Sequence, residues 1–190
     1  MAIRIKSKWF RKDLDRPSET LLAENAQALA FIAWRLALDK AINLHGQDFI
    51  YDDDRQRVFV IGEYLAMLVQ ITDRHVYDRL EFGDRALFIN ALAKKLADHM
   101  QDNCMDLFGP GDYRANFIQL LNARAEGYAE HDYSSDTGPA YNFIHYFGAS
   151  VQRVMGEAHH ANKWVIDQAM ELDGPEVIGK LIQSIDNLFA

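Results

Sequence analysis

Glu157 and His160 stand three residues apart in the stretch GEAHHANKW, residues 156–164. On a helix this spacing brings a carboxylate and an imidazole to neighbouring positions, the unit from which helical bundles build metal sites. A di-metal carboxylate bundle needs two such units and a glutamate from each of two further helices. Glu130–His131 and Asp98–His99 are adjacent pairs with the wrong spacing, so only one unit is present. What remains is a single-ion reading, with Glu157, His160 and a donor from another helix.

Glu63 is the second residue with chemical potential. It is the only charge in VFVIGEYLAMLVQI, the 14-residue apolar run from Val58 to Ile71. A carboxylate carried into an apolar core must be paired, metal-bound or protonated. It then becomes a candidate general base or ligand. The alternative is that Glu63 and Gln70, one heptad apart, mark a narrow wet line along the helix.

Other motifs are excluded. YDDDRQR at 51–57 lacks the final aspartate of the Asp-Asp-x-x-Asp magnesium motif. Asp54 reads instead as a helix N-cap, where acids suit the positive helix end. Cys104, the one cysteine, has no nearby activating base and reads as core. There is no phosphate-binding glycine loop, nucleophile elbow, HExxH or cysteine-pair zinc pattern. His145 and His159 lie two heptads apart, too far along one helix to share an ion. No cofactor is implied.

These residues must be positioned by helices. After Ser18, a good N-cap, Leu22, Ala26, Leu29, Ala33 and Leu36 recur at steps of three and four as far as about Leu44. A second helix is expected over about 55–79 and a third from Gly83–Asp84 to about Leu107, with Phe88, Leu92, Leu96 and Met100 inward. GPG at 109–111 breaks it, and a fourth helix covers about 112–130. YSSDTGP reads as a loop, with Asp136 or Thr137 able to cap the next helix. From Pro139 to Leu172 a regular stripe runs through Ile144, Phe147, Val151, Val154, Ala158, Ala161 and Val165, with a kink or break expected at Gly156. On that register Phe143, Tyr146, Ser150, Arg153, Glu157, His160 and Trp164 form a polar flank studded with aromatics. DGP at 173–175 ends the stretch, and Pro175 to Leu188 forms the last helix.

The expectation is an all-α, single-domain bundle of about six mostly antiparallel helices over residues 17–190, preceded by a basic arm over residues 1–16. The arm carries six basic and two acidic side chains, whereas the whole 190-residue chain has a net charge of −8. The arm therefore suits an acidic surface, its own body's included, and the balance excludes a general nucleic-acid binder. At 49% apolar residues the chain can bury a sizeable core. No run approaches the ~20 residues of a membrane span, and a single cysteine with no leader-like segment suggests the cytoplasm.

Three functions remain open on these grounds. The first is action through a protein partner or as a homodimer, using the basic arm and aromatics on polar stripes such as Tyr146 and Trp164. The second is an enzyme or small-ligand binder with an interhelical pocket built from Glu63 and histidines. The third is a metal-binding bundle using Glu157 and His160.

Overall fold

A computed structural model describes residues 18–189. The arm lies outside the described residues. The body is an all-α bundle whose six main helices are α1 (Glu19–Gly46), α2 (Asp54–His75), α3 (Phe82–Phe108), α4 (Tyr113–Tyr128), α5 (Tyr141–Met155) and α7 (Gly174–Leu188). A single turn, α6 (Val165–Asp167), sits in the connection between the last two. No helix among the described residues is long and apolar enough to cross a membrane.

Capping chemistry sets most boundaries. Ser18 accepts from the Leu21 amide at 3.2 Å, and Asp112 accepts from Ala115 at 3.1 Å. Asp53, rather than Asp54, caps α2 by accepting from the Gln56 amide at 2.8 Å. Gly109, at φ 81°, closes α3. The GPG break therefore falls where expected.

Helix α2 is the axle. From Val60 to Val69 every residue is buried, because α2 packs against α1, α3, α4, α5 and α7. A helix surrounded by helices needs no polar face, which is why its sequence is apolar all round. Chain-consecutive main helices alternate in direction. Helices α1 and α3 consequently run parallel: Asn25 and Phe88 meet Leu188 and Phe189 at one end, and Trp34 lies beside His99 midway. Ala26, Ala30, Ala33, Ala37 and Ala41 are all buried on α1, which permits close approach.

The regular stripe predicted through residues 139–172 holds only as far as Met155. Gly156 adopts φ 63°, a conformation that favours glycine at a helix C-terminus. The Gln56 side-chain amide donates to the carbonyls of Val154 and Met155, each at 3.1 Å, and satisfies the freed end. Ala158, expected inward, is exposed. The chain then forms a 3-10 turn (His160–Trp164), α6, and a π-helical stretch (Gln168–Asp173). Asn162 pins this segment: its Oδ1 accepts from the Ile50 amide at 3.0 Å and its Nδ2 donates to the Ile50 carbonyl at 2.8 Å. Gly148 lets it lie close on α5, since a Cβ there would stand 2.5 Å from Met170 Cγ. The inward face of α5 is also rotated from the expected one: Phe143 and Ser150, assigned to a polar flank, are buried.

The loop expected at 133–139 is a miniature hairpin. Strand β1 (Tyr133–Ser134) pairs antiparallel with β2 (Gly138–Pro139), Tyr133 opposite Pro139. Ser134 Oγ accepts from the amides of Asp136 and Thr137 at 3.2 and 3.4 Å, and Gly138 takes φ 79°. Neither Asp136 nor Thr137 caps α5. Ala140 occupies that position without a side-chain bond.

Candidate binding pocket

The two clusters expected from sequence stand in very different settings. Glu63 is 2% exposed and meets the Arg124 guanidinium in a fork, with Oε2 to Nε and Oε1 to Nη2 both at 2.6 Å. These charge-assisted bonds raise the arginine's pKa despite burial, with the nearby Tyr146 adding to the effect. Tyr128 lies close by, its hydroxyl buried without a hydrogen-bond partner among the described residues. Its pKa is raised well above the ordinary value, by burial first and by the Glu63 carboxylate second. The pair ties α2 to α4 and lines no part of the cavity between the hairpin and α7.

Glu157 is exposed in the bend after Gly156, and His160 begins the 3-10 turn. The helix that was to align them has already ended, so the i, i+3 relation no longer places them on one helical face. His160 Nε2 lies 2.9 Å from Lys163 Nζ. Among the described residues no group of three or more His, Cys, Asp or Glu side chains is placed to hold a metal ion. His159 instead reaches Asp52 at 2.9 Å, and His145 lies beside Tyr141 on the surface.

Two polar clusters lie outside the residues singled out from the sequence. In the first, Lys40 on α1 is 7% exposed and bonds to Glu176 Oε2 at 2.5 Å and Asp173 Oδ1 at 3.3 Å. Burial opposes the lysine's charge, but the hydrogen bond to Glu176 and the field of Asp173 raise its pKa on balance. Asp173 also accepts from the Tyr64 hydroxyl at 2.7 Å and from Gln168 Nε2 at 3.2 Å. The π-helical stretch delivers Gln168 and Asp173 to this network, a geometry concentrated at functional sites.

The second cluster faces a recess. His75, the last residue of α2, has a side chain only 8% exposed. Its Nε2 lies 3.0 Å from Asp186 Oδ1 on α7, and its Nδ1 lies 3.4 Å from the Tyr133 hydroxyl on β1. Arg79 Nη1 approaches the same Asp186 oxygen at 2.6 Å. The bond from His75, with Arg79 behind it, holds the Asp186 carboxyl below the usual carboxylate range. Burial pushes the Tyr133 hydroxyl up, so it remains a proton donor. In the neutral ring, an ionised Asp186 favours the tautomer that donates Nε2–H to it, which leaves the Nδ1 lone pair turned toward Tyr133.

Arg74 anchors the hairpin above. Its Nη1 donates to the His131 carbonyl at 2.6 Å, its Nη2 donates to the Tyr128 carbonyl, and its guanidinium lies over Phe143. The hairpin and α7 flank an open recess of about 450 Å³. His75, Tyr133, Asp136 and Thr137 form its polar side, and Ile144, Ile178 and Ile182 its apolar side. An apolar wall with a few convergent polar groups is the general form of a small-ligand site. The acceptors among the polar groups are the Nδ1 lone pair of the neutral ring, the Tyr133 oxygen and the Asp136 carboxylate, and the hydroxyls of Tyr133, Ser135 and Thr137 can also donate.

Comparison with protein-family models, with curated proteins and with solved structures finds no match to this chain.

Proposed function

We propose that the protein binds a small ligand in the cavity between the hairpin and α7. The ligand this chemistry fits has an apolar body and at least one hydroxyl or amide N–H. The body lies on Ile144, Ile178 and Ile182, and the donor reaches His75 Nδ1 in place of the 3.4 Å contact with Tyr133. The observation that carries the reading is the Asp186–His75–Tyr133 chain at the edge of that cavity. Asp186 fixes the ring and its tautomer, so a binding partner meets an acceptor that has no need to reorganise. The same arrangement supplies a base for a proton on a bound hydroxyl. This develops the expectation of an interhelical pocket using histidines, with His75 in the place given to Glu63.

The test is a titration of benzyl alcohol and benzamide followed on the methyl signals of Ile178 and Ile182. Saturable shifts of both are expected in the wild type, and the Ile182 shift is expected to disappear in Ile178→Trp. Sodium benzoate, which lacks the donor and meets Asp136, is expected to bind more weakly. No saturable shift at these methyls, or equal binding of benzoate, would overturn the reading.

A second reading, a protein partner or a second copy of the chain, is supported by Trp164, which is 57% exposed with Lys163 over its ring at 5.0 Å. Light scattering on the wild type and on Trp164→Ala tests the second copy: a mass above the monomer that falls in the variant supports it, and a monomer in both removes it.

A further inference from the structure

At the opposite end of α2 the bundle is incompletely filled. One recess of about 200 Å³ opens between α2, α3 and α4, bounded by Val58, Gly62, Met100, Cys104 and Phe117. A second, of about 250 Å³, opens between α1, α2 and α3, with Trp34, Ile61 and Leu107 on its walls. Val58, Met100 and Cys104 line both. The two spaces therefore flank the C-terminal half of α3 and share a wall of small or deformable side chains. Gly62, on the wall of the first one, lets α2 lie close against α4: a Cβ there would stand 2.9 Å from Leu120 Cδ2. Ile42, Phe59 and Leu107, exposed at 54%, 58% and 50%, form apolar lips.

We propose that these twin recesses bind the hydrocarbon chain of a neutral aliphatic molecule, a medium-length alcohol being the simplest form. Each exceeds the ~150 Å³ that accommodates benzene in an apolar cavity. The shared wall contains Met100, whose unbranched thioether adapts to the shape of what it touches, in sulfur contact with Cys104 at 3.7 Å. Charge decides the head group. Arg57, the cation on the lining of the second recess, is already paired with Asp54, so a carboxylate would have to compete with Asp54 for it. Asn103, also on the rim, donates to the His99 carbonyl. Its own carbonyl oxygen can accept from a hydroxyl. The site is independent of the His75 cavity, which lies about 25 Å away along α2 at 1.5 Å per residue.

The experiment uses the full chain with its six methionines carrying ¹³C-labelled methyls, Met100 being assigned through Met100→Leu. 1-Octanol should shift the Met100 methyl saturably and leave the Met170 methyl in place. Octanoate should bind about tenfold more weakly or worse, because burying an uncompensated carboxylate opposes binding. Val58→Phe, which fills the shared wall, should abolish the octanol shift. Should that variant not fold, the wild type supplies a second readout: octanol should slow alkylation of Cys104, the one cysteine, by N-ethylmaleimide. The proposal is overturned by an unmoved Met100 methyl together with unprotected Cys104, or by octanoate binding as tightly as octanol. It is equally overturned by a Met100 shift on raising protein concentration alone, which would mean that a second copy covers the recess.

Discussion

Replacing Glu63 with glutamine should destabilise the fold without touching the ligand cavity. Glu63 is 2% exposed and its partner's side chain 17% exposed, so the pair is largely shielded from water. Removing one member of a buried pair costs about 3–5 kcal/mol, chiefly by stranding the other charge. The glutamine carbonyl still accepts one guanidinium hydrogen bond, and Arg124, 17% exposed, still reaches water, so the low end, about 3 kcal/mol, applies. For a chain of this size each kcal/mol lowers Tm by about 2–4 °C, giving a drop of roughly 6–12 °C. Arg124→Met should cost about 4 kcal/mol or more, because it strands a more deeply buried carboxylate. The double variant Glu63→Leu/Arg124→Met should be more stable than either single one, since apolar residues of similar volume commonly replace a buried pair at little net cost. The assay is urea unfolding followed by far-UV circular dichroism. A Glu63→Gln variant within about 1 kcal/mol of the wild type, or a double variant worse than both singles, would refute the reasoning.

The Lys40 network makes a parallel prediction. Lys40→Met leaves Asp173 buried with only the neutral donors Tyr64 and Gln168, and should cost about 2–3 kcal/mol in urea unfolding, against about 1 kcal/mol for Tyr64→Phe. Acid stability should depend on Glu176, whose hydrogen bonds from Lys180 and Lys40 hold its carboxyl down at about 2, from an ordinary value of 4.5. A carboxyl depressed in the folded state stabilises above its unfolded value and loses that contribution as pH falls through the folded one. Glu176→Gln should therefore flatten the stability–pH curve between about 4.5 and about 2, a modest effect for a side chain 44% exposed. Gly148→Val should destabilise by about 1–3 kcal/mol by pushing the π-helical stretch off α5, visible as a lowered unfolding midpoint with unchanged slope.

How far the fold and the site could be read from sequence depended on the range of each interaction. Ser18, the apolar run of α2 and the GPG break act within a few residues, and all three stand where local rules put them. Glu63 reads as a charge that must be paired, metal-bound or protonated; the partner it has, Arg124, lies 61 positions away and no local pattern names it. Lys40 left a signal that could have been used, because it falls on the same face of α1 as Ala33, Ala37 and Leu44, all buried. The break expected at Gly156 is present, but a stripe carried past it through Ala158 assumes that the register continues, whereas Gln56 and Asn162 hold the chain on a new path. His75 is separated from Tyr133 by 58 positions and from Asp186 by 111. The three carry no mutual spacing to read and meet only once α2, the hairpin and α7 are assembled.

The central claim is that His75 offers a lone pair to the cavity. The most direct measurement is the ¹⁵N spectrum of the His75 ring, above neutral pH, before and after addition of benzyl alcohol. The account predicts a neutral ring protonated at Nε2, with an unprotonated Nδ1 whose resonance moves toward the hydrogen-bonded range as the alcohol saturates. A ring protonated at Nδ1, or an Nδ1 resonance indifferent to the alcohol while the Ile178 and Ile182 methyls respond, would contradict it.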